Sequence, residues 1–124
     1  MQFSSVLRLV FTSIALSTSC QFSLANNDLS PAEKNSIIKE DVASIQVLQS
    51  YCPTVIGKNV KFDQNIQNLL YEYLSEYSDS SITLQKLQQD AEYQKILKET
   101  QKSLNESSIE DNKFTCEEII TINI

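Results

Sequence analysis

Apolar residues crowd the start of the chain and thin out after it. Fourteen of the first 25 positions are apolar, against 37 of the 99 that follow. Arg8 is the one charge in the opening segment, and Leu9-Val10-Phe11-Thr12-Ser13-Ile14-Ala15-Leu16 runs on from it. Ser23-Leu24-Ala25 then places small residues three and one positions before a cleavage point. A basic start, a short apolar core and small residues before the cut describe a secretory signal peptide over residues 1–25. The run is shorter than the roughly 20 apolar residues of a membrane span. No stable membrane insertion is therefore expected after signal cleavage. Two other readings stay open: a lipoprotein signal ending at Cys20, and an uncleaved anchor.

Beyond Ala25 the spacing becomes helical. Residues 26–36 are polar and read as a flexible leader to a single domain over residues 37–124. A helix is expected from about Ile37 to Tyr51. Ile38, Val42, Ile45, Leu48 and Cys52 share one stripe, with Val47 outside it. Pro53 disfavours helical geometry at Cys52, so the helix should end or kink there. Alternatively, Pro53 begins a short turn through Ile56 that Gly57 stops. Asp63 is the expected cap of a second helix over 64–78, with Ile66, Leu69, Leu70, Tyr73 and Tyr77 inward and Tyr71 outward. The stripe of Leu84 and Leu87 is out of phase with that of Tyr93, Ile96, Leu97, Thr100 and Leu104, so a break is expected. Asp90 would cap the helix that follows it to about Leu104. Ser107 with Glu110 is a capping-box pattern for a last helix carrying Ile109, Cys116, Ile119 and Ile120 on one stripe. No segment alternates with period two. The pattern predicts an all-α fold: a small bundle of four to five short helices stapled by one disulfide.

The disulfide follows from the cysteines. Cleavage after Ala25 removes Cys20 and leaves Cys52 and Cys116 in an exported chain, a setting that favours a bridge between them. Each lies on the apolar stripe of its helix.

Charge and composition narrow the chemistry. After residue 25 there are nine Lys, no Arg and 16 acidic residues, a formal charge of −7. An acidic chain without Arg is a poor match to nucleic acid. One Gly cannot build a Gly-rich phosphate loop, and no His is present to serve as base or metal ligand. Adjacent carboxylates such as Glu117-Glu118 point about 100° apart on a helix and make no ready chelate or acid–base dyad. No catalytic residue, metal site or cofactor is therefore expected. Tyr71 is the aromatic expected clearly outside, and an exposed Tyr can anchor a partner. Asn105-Glu106-Ser107 is a glycosylation sequon that matters only in a eukaryotic secretory pathway, and no glycan is expected.

The stretches Val42-Ala43-Ser44-Ile45-Gln46-Val47-Leu48, Tyr51-Cys52-Pro53, Ile56-Gly57-Lys58-Asn59, Leu87-Gln88-Gln89-Asp90, Glu92-Tyr93-Gln94 and Cys116-Glu117-Glu118 resemble an uncharacterised family. Its members are small exported two-cysteine helical proteins of Gram-negative bacteria, with a domain of unknown function. The resemblance implies export, two cysteines and helices, and carries over no catalytic residue. Phe114-Thr115-Cys116-Glu117-Glu118 is also similar to a helix start in the acid-stress periplasmic chaperones.

The expected function is a non-enzymatic periplasmic interaction module, of the inhibitor or immunity type, whose partner is an unidentified exported protein. The alternative is a periplasmic acid-stress holdase chaperone. Intact-mass measurement of the exported protein should give a chain beginning at Asn26. A mass retaining Cys20 with attached lipid would replace this with the lipoprotein reading.

Overall fold

The computed structural model describes residues 28–124, and they form five helices. These are α1 (Pro31–Ile56), α2 (Val60–Ser75), α3 (Leu84–Gln88), α4 (Ala91–Glu106) and α5 (Ile109–Thr121). No strand occurs among the described residues, so the all-α expectation holds. The signal peptide and Cys20 lie outside the described residues.

Helix α1 begins at Pro31 rather than Ile37, so residues 31–36 of the expected leader are its first turns. The cause is a capping box. Ser30 accepts from the Glu33 backbone N–H, and the Glu33 carboxylate takes the Ser30 N–H at 2.9 Å. Pro31 suits the first helical position, where an N–H has no partner to lose. Pro53 neither ends nor replaces the helix, which runs through it to Ile56. It lies on the exposed side near the end, where it removes one backbone bond while Cys52 beside it is anchored in the core. Gly57 stops the helix with φ at +74°, a conformation that disfavours side chains with a Cβ.

α1 is the axis of the domain. It packs against α2, α4 and α5, while α2 also meets α5 and α3 meets α4. Val47, expected outside the stripe, is buried because α1 is covered on a second side as well. Ile38, Val42, Ile45 and Leu48 lie on the first stripe; Lys39, Ala43, Gln46 and Val47 lie on the second.

Two of the expected caps move. Asn59, not Asp63, caps α2 by accepting from the Phe62 N–H at 3.0 Å, and the earlier start puts Phe62 into the core. Ser108, not Ser107, caps α5, because Ser107 ends α4. Thr83 caps the short α3. Asp90 caps α4 as expected, accepting from the Tyr93 N–H at 2.8 Å. Ile109 stands 67% exposed, since the stripe overruns the core at the first residue of α5.

The Cys52–Cys116 disulfide joins α1 to α5 across Cα atoms 5.5 Å apart, with both cysteines fully buried. It closes a loop of sequence separation 64. Replacing both cysteines by Ala should cost about 4 kcal/mol in the chain-entropy account. Urea unfolding of the oxidised parent and the double variant measures that loss.

Candidate functional site

The candidate site is the outer face of α2. The inner side of this helix is taken up by Phe62, Ile66, Leu69, Leu70 and Tyr73, all buried. Helical spacing then forces Val60, Gln64, Asn68 and Tyr71 onto the opposite side. Val60 is 74% exposed and Tyr71 79% exposed. This agrees with the outward position expected for Tyr71, but Tyr71 is not alone outside: Phe114 of α5 is 59% exposed, while Tyr73 is buried and Tyr77 half-buried against the core.

A shallow groove of about 920 Å³ runs between this face and the chain end. Val60, Gln64 and Asn68 form one wall, and Ile122, Asn123 and Ile124 the other. Asn65 holds the two walls together. Its side chain is 4% exposed and donates to the Ile119 carbonyl at 2.7 Å and the Ile122 carbonyl at 3.0 Å. Those carbonyls belong to the end of α5, where helical partners run out. Most of the groove's polar side chains are carboxamides, with Lys61 and Asp63 as its two charged residues. Carboxamides donate and accept hydrogen bonds but do not act as nucleophile or acid.

The remaining polar groups are structural. Asn112 does at the end of α4 what Asn65 does for α5, donating to the Leu104 carbonyl at 2.9 Å. The Tyr93 hydroxyl donates to Gln46, and burial pushes its pKa up to about 12. Lys39 is 7% exposed and donates to Glu92 at 2.6 Å and Asp90 at 3.2 Å. No buried side-chain nitrogen or oxygen among the described residues lacks a partner.

Sequence reasoning missed Lys39, Asn65 and Asn112. One signal was available for Lys39: it stands in register with Ala43, Gln46 and Val47, a second stripe on α1. The carboxylate pairs stay apart from any site. Glu117 pairs with Lys113 at 3.8 Å along α5. Among the described residues there is no group of three or more His, Cys, Asp or Glu placed to hold a metal. No described helix is long and apolar enough to cross a membrane.

Fold and surface define a small, disulfide-tied helical domain with an exposed strip along α2 that is itself uncharged but has Lys61 and Asp63 beside it. The chain belongs to DUF7944, a domain of unknown function, which matches residues 38–119. No curated protein and no solved structure matches it.

The two kinds of polar residue should separate on mutation. Asn65→Ala removes the side-chain donor shared by the Ile119 and Ile122 carbonyls and should lower stability by about 1–3 kcal/mol. Tyr71→Ala should change it by no more than about 0.5 kcal/mol. Chemical denaturation of both variants checks the contrast.

Proposed function

We propose that this protein is an exported, non-enzymatic interaction module that docks another exported protein on the outer face of α2, with Tyr71 as the anchor. One observation carries the reading: Tyr71 stands 79% exposed on a helix whose opposite side is locked into the core. An aromatic ring on a rigid helix offers a large contact area at little cost in side-chain entropy. The strip from Val60 through Gln64 and Asn68 to Tyr71 carries no charge, as the centres of protein interfaces tend not to. The periplasm is the proposed compartment, on the strength of the signal-like residues 1–25 and the cysteine pair.

A photo-crosslinker at position 71 should capture one partner protein in intact cells at neutral pH, whereas one at the exposed Lys98 of α4 should not. Asn68→Glu, which places a charge in the strip, should abolish that crosslink, and Lys98→Glu should leave it intact. Capture that ignores Asn68→Glu would overturn the reading. A chain that takes no partner at neutral pH but protects aggregating clients at pH 2 would establish the holdase alternative instead.

A further inference from the structure

The buried Lys39 is a group that the α2 face does not use. Its ammonium lies where α1 meets the start of α4, and its two bonded counter-charges are Asp90 and Glu92. Asp90 caps α4 and Glu92 sits in its first turn. Tyr77, just past α2, is a further titratable group close to Lys39, and a phenol is neutral in acid. The segment before α4 is held by Asn35, which takes the Ser78 N–H at 3.0 Å and donates to the Ser78 hydroxyl at 2.6 Å. We propose that Lys39, Asp90 and Glu92 form an acid-released latch, freeing the start of α4 and the adjoining α3 from α1 while the disulfide keeps α1 and α5 together.

The physical basis is an asymmetry in titration. Carboxylates lose their charge near pH 4, whereas an ammonium keeps its charge throughout the acid range. A buried charge whose partners are neutralised retains its desolvation cost without the attraction that offset it. The Lys39 side chain is 9% exposed as it stands, and fuller hydration of its ammonium requires the start of α4 to move. Asp90 has a second task, since its carboxylate accepts the Tyr93 N–H, so its protonation weakens the cap and the ion pair together. That N–H, and then Lys39, hold the Asp90 pKa below its ordinary value against the opposing effect of burial. Burial works against the charged form of Lys39, but the bonds it donates to Glu92 and Asp90 outweigh it and raise its pKa. The stability supplied by Asp90 is therefore present above its unfolded pKa and is lost as pH falls through the lower folded value. Lys39 remains charged throughout that window. α3 packs on α4 and so moves with it. Neither Cys52–Cys116 nor the bonds from Asn65 to α5 involve a titrating group.

The latch is independent of the partner-binding reading and can be tested at neutral pH, where other carboxylates stay charged. Asp90→Asn with Glu92→Gln mimics the protonated pair, and Asn still caps a helix well. Hydrogen exchange on the disulfide-bonded protein should show the Leu87 and Tyr93 amides exchanging about tenfold faster. The amides of Leu48 and Ile119 should keep their rates. Adding Lys39→Met, which keeps the length of the stem and removes the charge, should restore protection. At pH 3, Lys39→Met alone should protect Tyr93 better than the parent does. Unchanged exchange in the double variant, equal acceleration at all four amides, or no restoration by Lys39→Met would each overturn the latch.

Discussion

Two adjoining stripes of one long helix have to be kept from water at once. α1 buries Ile38, Val42, Ile45, Leu48 and Cys52 along one stripe and Ala43 and Val47 along the next. No single neighbour can cover so broad a face, and α2, α4 and α5 all pack against it. The chain order follows from that need. Gly57 lets α2 fold back directly. Residues 76–90 carry the chain to the start of α1, where Asp90 and Glu92 of the α4 start meet Lys39. α5 then returns to the end of α1, where the disulfide fixes it. A domain of this size buries a limited fraction of its surface, so a covalent tie at the last-placed helix adds to what burial supplies.

Polar residues decide how the helices end against one another. A buried helix end leaves carbonyls that need donors. Here two of those ends are closed by asparagines from other helices: Asn65 of α2 serves α5, and Asn112 of α5 serves α4. Each bond requires a helix to stop at one particular level of its neighbour. Apolar stripes alone would tolerate sliding by a turn, whereas a misplaced asparagine would be buried without its partner at a cost of about 1–3 kcal/mol. Lys39 imposes the same kind of register on the start of α4, through charge rather than amide bonds.

The inward stripes were legible in the sequence because burial acts at a fixed period. So were Asp90, which falls where two stripes change phase, and Tyr71, which lies opposite a continuous apolar run. The start of α1 was readable as well: Ser30, Pro31 and Glu33 carry the capping pattern, but polar composition masked it. The caps of α2 and α5 were not decided locally, because Asn59 and Asp63, or Ser107 and Ser108, are comparable candidates. The choice belongs to tertiary packing, which draws Phe62 into the core and leaves Ile109 outside. The register of Lys39 with Ala43 and Val47 was visible, but its burial was not. A lysine within a helix reads as solvated, and only carboxylates more than 50 residues later make its burial tolerable. The candidate site was half visible for the same reason: the outward face of α2 is periodic, whereas its groove depends on where Ile122–Ile124 comes to rest.

Two outer faces of this domain offer a partner different terms. α4 presents Lys95 with Glu99 and Lys102 with Glu106, exposed pairs at 3.9 and 3.8 Å. Such pairs contribute little to folding, yet a partner covering them would have to strip hydration from four charges. The α2 strip asks for the desolvation of amides, which a partner's backbone can replace bond for bond. Its helix is already immobilised by five buried side chains and by the bonds from Asn65, so little further ordering is needed on contact. Of these two faces the α2 strip therefore asks less of a partner, and Tyr71 stands at one end of it.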